Sequence, residues 1–203
     1  MRVLIHVCCA PCFAGALELL RQEGHELEGY FYNPNIHPLL EFRKRVKALR
    51  VFLETEPLPV EIDETYGLED YLRRVRPLEP ARCGRCYEMR LHRTAARAAG
   101  RKFDAFTSTL LGSRHQDHEA VRKAAERAAR DAGVPFLYRD FRPLIDRAAE
   151  IAKQRQLYRQ SYCGCVFSEF DRYRNTTREV YRGPRGGPAR KEAGTPGRKR
   201  GHG

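Results

Sequence analysis

The chain is expected to fold as an α/β protein: a Rossmann-like, doubly wound, mostly parallel sheet with helices on both faces, plus a disordered basic C-terminal tail. Three observations predict it. Short β-rich runs alternate with longer segments of helical period, the pattern of strands joined by helical crossovers. The 203 residues are 41% hydrophobic and 32% charged, the balance of a globular chain with one substantial core. After Tyr173 apolar periodicity stops and Arg, Lys, Gly and Pro take over, as in Gly183-Pro184-Arg185-Gly186-Gly187-Pro188. A single domain is therefore expected at residues 1–174 and the tail at 175–203.

Val3 to Val7 is the first strand, an apolar run that stops at Cys8 with no small-residue cleavage pattern behind it. Phe13 to Gln22 has helical period and leads to a second strand, Leu27 to Tyr32, which the turn signal Asn33-Pro34-Asn35 ends. Leu39 to Leu53 is the next helix and Pro59 to Ile62 the third strand. Leu68 to Val75 and Cys86 to Ala99 are helices before the fourth strand, Asp104 to Thr107. His115 to Ala132 is a helix closed by Gly133-Val134-Pro135, Phe136 to Tyr138 a fifth strand, and Ala148 to Tyr158 the last helix. No stretch approaches the apolar length of a membrane span, so no membrane partner is expected and the cytoplasm is the expected location.

Charge points to a polyanionic partner. The net charge is +12, and half of it lies from Asn175 onward, where eight Lys/Arg face two acids. A basic body with a basic tail favours nucleic acid over membrane, because no basic helix with a bulky apolar face accompanies it. A solubilising surface is the competing explanation.

Seven cysteines in a cytoplasmic chain of this length argue for metal binding or redox chemistry rather than stapling. Cys8, Cys9 and Cys12, around Ala10-Pro11, sit where the first strand hands over to the first helix. There the helix dipole favours thiolates, and an open α/β sheet gathers its ligands at the carboxyl ends of strands. Cys83-Gly84-Arg85-Cys86 opens a later helix as a CX2C unit, compatible with half a zinc ribbon, a dithiol or a cluster site. Cys163-Gly164-Cys165 can be a ligand pair or a labile disulfide. Groups of three, two and two exceed the four ligands of a closed zinc site; an iron–sulfur cluster takes up to four thiolates and leaves the others for a redox pair or a second metal.

These segments resemble one family, the QueH-type epoxyqueuosine reductases of tRNA queuosine biosynthesis. The carriers are His6-Val7-Cys8-Cys9-Ala10-Pro11-Cys12, Phe31-Tyr32-Asn33-Pro34-Asn35-Ile36-His37-Pro38, Cys83-Gly84-Arg85-Cys86-Tyr87-Glu88-Met89-Arg90-Leu91, Phe106-Thr107-Ser108-Thr109-Leu110-Leu111, Asp140-Phe141-Arg142 and Tyr158-Arg159-Gln160-Ser161-Tyr162-Cys163-Gly164-Cys165. The resemblance runs from Val3 to about Ser168. It implies reduction of the epoxide of epoxyqueuosine at the wobble position of tRNA to the alkene of queuosine, with a [4Fe-4S] cluster, no cobalamin, and electrons from an unidentified donor. Carried over by motif, Cys8, Cys9, Cys83 and Cys86 would hold the cluster, and Cys163 and Cys165 would be a redox-active pair. Family members carry Cys or Asp at the position of Cys12, which suits an auxiliary iron. The Arg-rich tail has no counterpart in these motifs.

Other residues have weaker signals. Asp140 and Arg142 follow the last strand and can face its carboxyl-end crevice as proton donors or substrate ligands, or form an ordinary loop ion pair. Tyr32, Tyr87, Tyr158 and Tyr162 can stack on an extruded base, as single-stranded RNA recognition requires, or simply pack. Arg159 adds a cation beside Tyr158. Of the histidines, His37 is expected nearest the site, whereas His6 is read as a packed strand residue and His115 with His118 as neighbours on one helix face. Two other functions compete. An ATP-using sulfurtransferase would want a Ser/Gly-rich loop where Cys8 to Cys12 stand, and no Walker A sequence occurs, so ATP is not expected. A zinc-stabilised, non-catalytic RNA-binding module would leave cysteines over.

Overall fold

A computed structural model describes residues 1–76 and 81–176. One compact unit spans Met1–Tyr173, and a second segment begins at Arg174; the expected tail lies outside the described residues beyond Thr176.

Four strands, β1 (Arg2–His6), β2 (Glu26–Phe31), β3 (Val60–Ile62) and β4 (Ala105–Ser108), form a sheet of order β3-β2-β1-β4. Every pairing is parallel, with Val3 opposite Leu27 on one side and Ala105 on the other. Val3, Leu4 and Ile5 are fully buried, which explains why β1 is apolar throughout rather than alternating: helices cover both of its faces. The helices are α1 (Ala10–Gln22), α2 (Leu39–Thr55), α3 (Leu68–Val75), α4 (Arg82–Gly100), α5 (His118–Ala132), α6 (Ile145–Gln154) and α7 (Val166–Tyr173). Packing α1 with α2 and α6 covers one face, while α4 lies on β1 and β4 beside α5. A Cβ at Gly29 on β2 would come within 2.8 Å of Val60 and 3.2 Å of the Phe13 ring, so only glycine lets α1 sit this close to the sheet. None of the described helices is long and apolar enough to cross a membrane.

Three expectations need correction. Phe136 to Tyr138 is not a strand. Phe136 makes one parallel bridge to Phe106, and since Pro135 has no N–H the ladder reduces to Phe106 N–H to Pro135 O (3.0 Å) and Leu137 N–H to Phe106 O (2.8 Å). His115 is not helical. The Asp117 carboxylate accepts from the Ala120 N–H and caps α5, so the helix starts at His118. The last predicted helix is shifted: α6 starts at Ile145, led in by a 3-10 turn over Arg142–Leu144, and stops before Gln156, whose φ is +51°. A further helix, α7, and a 3-10 turn at Thr109–Gly112 lie where no element was expected.

The chain leaves β1 toward β2 on one side, and β4 returns on the other. That reversal opens a crevice at the carboxyl end of β1, where Cys8 stands.

Candidate metal centre

The Val7 N–H extends the ladder to Tyr30 O at 2.9 Å, and the Cys8 N–H then turns to the Thr109 hydroxyl at 2.9 Å, tying the β1 and β4 ends together. Cys9 is the N-cap of α1 in extended geometry, and Pro11 occupies the first turn, where its missing N–H is harmless. Cys12 follows one turn in. The three sulfurs all lie within 4.8 Å of one another, with Cys8 and Cys9 Sγ 3.9 Å apart. Thiolates around one tetrahedral ion with metal–sulfur bonds of about 2.3 Å sit roughly 3.8 Å apart, so this trio can hold a metal. Hydrogen bonds from Cys12 and then Cys9, helped by Thr109, hold the Cys8 thiol well below its ordinary range. The same contact with Cys8, then that with Cys9 and burial, pushes Cys12 well up, so Cys8 is the more acidic of the two thiols. Gln160 Nε2 donates to Cys9 Sγ at 3.1 Å from the opposite wall.

The other four cysteines form a second neighbourhood. Cys83 is exposed and Cys86 buried on the first turns of α4. Cys165 is buried immediately before α7, where its sulfur accepts from the Ser168 N–H at 3.4 Å at the positive end of the helix. A hydrogen bond from Cys163, and then from Ser168 and Tyr71, brings the Cys165 thiol down to about 5, and the Cys163 thiol is correspondingly held well up. Burial first, then the Cys165 charge, raises Cys83; in Cys86 burial and the Cys165 charge likewise act upward, outweighing the pull of Arg90.

A buried clamp holds the Cys163–Cys165 loop. Arg45 of α2 donates Nη1 to Cys163 O and Nη2 to Tyr162 O, both at 3.0 Å, and Nε to Glu41 at 2.7 Å. Tyr158 donates its hydroxyl to the other Glu41 oxygen, and Tyr162 donates to His37 O at 2.7 Å. Gly164 has φ +132°, and a Cβ there would stand 3.2 Å from Arg45 Nη1 and Ile36. Gly164→Ala is therefore expected to lose about 1–3 kcal/mol in chemical denaturation and to reduce redox activity more than Gly84→Ala, since nothing lies within 4 Å of a Cβ at Gly84.

Arg90 joins the two cysteine groups. It is 2% exposed, and no carboxylate among the described residues pairs with it. Its Nε reaches Cys86 O at 3.4 Å, Nη1 reaches Asn33 Oδ1 at 3.5 Å, and Nη2 is buried without a partner. Burial opposes its charge, yet attraction to the sulfurs of Cys86, Cys163 and Cys8 in their ionised forms outweighs that and pushes its pKa up. Burial, and then the same guanidinium, lower His6 to about 4, so His6 is neutral and bridges Ser108 Oγ (2.9 Å) and Tyr32 O (3.1 Å). Arg90, Cys8, Cys12 and Cys163 line one cavity of about 330 Å³ together with Arg159, Gln160, Tyr162, Phe141 and His115.

The remaining expected residues lie elsewhere. Asp140 and Arg142 form an ion pair at 2.6 Å that holds the Asp140 carboxyl at about 2, and Phe141 between them lines the cavity instead. Burial lowers His37 to about 4; its ring is buried against Tyr66 and Tyr71 with both nitrogens unpartnered. Tyr87 is buried, and Tyr32 faces a different cleft. Arg45 and Glu41 lay outside the motifs read from the sequence, and Asn33, Thr109, Gln160 and Arg90 lay within them without an assigned role. Only Arg90 carried a usable signal, four residues after Cys86 and hence on the same helix face.

The donor set suits a thiolate-bound metal: seven thiols, none of them bridged, with Cys8, Cys86 and Cys163 near the buried Arg90. The family model described as "Epoxyqueuosine reductase QueH" matches residues 3–171. A protein of that name from Dehalococcoides mccartyi is 38% identical over 172 residues, covering 85% of this chain and 94% of its own. Those from Haemophilus influenzae and Thermotoga maritima are 35% and 34% identical, covering 82% and 84% of this chain and 71% and 91% of their own. A solved deacetylase complex from teicoplanin biosynthesis has 15% identity and a TM-score of 0.44, covering 74% of this chain and 83% of that one. With the match spanning nearly all of the compact unit and every cysteine within it, the chain belongs to the epoxyqueuosine reductase QueH family.

Proposed function

We propose that the chain reduces epoxyqueuosine at the wobble position of tRNA to queuosine, in the cytoplasm and without cobalamin. The observation that carries this reading is the pair of cysteine groups gathered about Arg90 at the β1 switch point, in a chain of this family. Cys8, Cys9, Cys83 and Cys86 would hold a [4Fe-4S] cluster and Cys12 an auxiliary iron, which when bound would supply single-electron transfer and Lewis acidity toward the epoxide oxygen.

Removing the oxygen requires two electrons and two protons. Cys163 and Cys165 can provide the electron pair. The Cys165 thiolate and the Cys163 thiol join in an S–S bond, both epoxide C–O bonds break, and the carbon–carbon double bond forms. The oxygen leaves as water, with one proton from the Cys163 thiol and one from solvent. An external donor then reduces the disulfide for the next cycle. Arg90 holds positive charge where anionic sulfur and oxygen meet, while Tyr162 and Arg159 border the cavity that the base would enter.

Anaerobic reconstitution with iron and sulfide, followed by incubation with epoxyqueuosine-containing tRNA and dithionite, tests this. Nucleoside mass spectrometry is expected to show loss of one oxygen. An iron-loaded protein that leaves epoxyqueuosine intact with dithionite and with a reduced ferredoxin alike would refute the assignment.

A further inference from the structure

A second cleft, of about 550 Å³, opens on the other flank of α4. Cys86 and Arg90 face the cysteine centre; Arg85, Met89 and Arg93, on neighbouring turns of the same helix, line this cleft, which Arg74 of α3, Arg127 of α5 and Tyr32 beyond β2 complete. Four guanidinium groups thus meet only two carboxylates among the lining residues, Asp70 and Glu88.

Those acids do not neutralise the cleft. Glu88 is shared, taking Arg85 Nη1 at 3.0 Å on one oxygen and Arg127 Nη1 at 2.7 Å on the other. Asp70 receives only Nε of Arg74, at 2.9 and 3.0 Å, and among the described residues no acceptor meets that arginine's terminal nitrogens. Arg93 has no carboxylate within ion-pair distance among the described residues. It lies 5.7 Å over the Tyr32 ring, the neighbouring Tyr30 pushes its pKa up, and the two tyrosine rings stack nearly parallel at 6.0 Å. Counting guanidinium and carboxylate groups, the lining keeps two positive charges in excess, beside an aromatic ring and the apolar Met89 side chain. Guanidinium groups interleaved with an aromatic platform are what a single-stranded RNA backbone and its bases require. A protein partner would have to supply carboxylates placed opposite these guanidinium groups, and the test below separates that case from RNA.

We propose that this cleft binds phosphodiesters of the tRNA strand flanking the reacting nucleotide, with Arg74, Arg93 and Arg127 as phosphate ligands and Tyr32 as a stacking surface. The inference rests on the tRNA substrate proposed above. α4 then serves both sites, since a helix about 10 Å across separates the cleft from the cysteine centre.

The test uses the full chain, so that the basic tail is common to all samples, and a fluorescent anticodon stem-loop RNA without the modified base. Arg74→Gln with Arg127→Gln removes two half-exposed cleft charges; Arg50→Gln with Arg122→Gln removes two exposed charges outside the cleft lining. The cleft variant is expected to bind about 10-fold more weakly, with a log–log salt slope shallower by about 1.4, as for two phosphates at ~0.7 each. Its KM for tRNA is expected to rise with kcat unchanged, while the control pair keeps affinity and slope. Equal behaviour of the two variants overturns the proposal and leaves the enzymatic reading standing. Failure of the unaltered chain to bind the RNA overturns both. If RNA binding holds and turnover falls only when a protein supplies the electrons, the cleft belongs to that donor and the RNA assignment is wrong.

Discussion

Arg90→Met is expected to cut reduction of epoxyqueuosine-containing tRNA on the order of 10²- to 10³-fold while leaving the metal-free protein at least as stable as before in acid, below the pKa of its thiols. The two effects have opposite signs because the guanidinium is 2% exposed and has no carboxylate partner among the described residues. With the thiols protonated, an isolated buried charge opposes folding, and an apolar side chain of similar volume in its place is often neutral or stabilising by about 1–4 kcal/mol. In a 173-residue unit each kcal/mol moves Tm by about 2–4 °C. Once the sulfurs of Cys86 and Cys8 are anionic the balance reverses, since Arg90 is the cation that both share. Methionine would then leave clustered anions without compensation. Iron content and the EPR signal after reconstitution are expected to drop, and Arg90→Lys to recover part of both, because it keeps the charge but not the planar fork. A variant that keeps its iron and turnover, or one that unfolds with and without metal alike, would rule out the counter-ion role.

The fold was legible because β1 and the helix periods carry strong local signals. β1 is buried on both faces, so its apolar run needed no tertiary knowledge, and Leu68–Val75 matches its prediction residue for residue. The misses occur where neighbours decide. Phe136 has strand composition, but a proline before it and a loop after it leave room for a single bridge. His115 has helical neighbours, but Asp117 captures the first free N–H. α7 is short, and its start is fixed by Cys165, whose sulfur takes the role a serine or aspartate usually plays at an N-cap. In the site, the cysteines announced themselves by spacing, and the resemblance grouped them. The supports did not, because Arg45, Glu41, Arg90 and Gln160 are common residue types whose importance comes from burial beside sulfur or beside its loop. Asp140 and Arg142 looked alike from sequence whether catalytic or structural, and the structure adds their 2.6 Å pairing.

Cys165→Ser is expected to reduce turnover by 10²-fold or more with a physiological donor, and Cys163→Ser to do the same for a different reason. Cys165 is the thiolate of the pair: the Cys163 thiol, the Ser168 N–H at the start of α7 and the Tyr71 hydroxyl all donate toward it. Cys163 carries the proton and is the exposed partner, the one a reductant can reach. The sign follows for an acid whose folded pKa, about 5, lies below the ordinary thiol value: the stability this thiolate contributes is complete above the unfolded thiol pKa and is lost as pH falls toward 5. In metal-free protein the difference in 240 nm thiolate absorbance between the native chain and Cys165→Ser is expected to titrate with a midpoint near pH 5. Ser168→Ala keeps the backbone N–H but removes the hydroxyl that lies 3.4 Å from the sulfur, so a smaller upward displacement is expected. A midpoint near 8 would mean that the pair shares no proton, and electron delivery would then have to be assigned to another sulfur. A midpoint near 5 with full turnover in Cys165→Ser would separate the acidity of this thiol from catalysis, leaving Cys163 and Cys165 as supports for α7 rather than carriers of the electron pair.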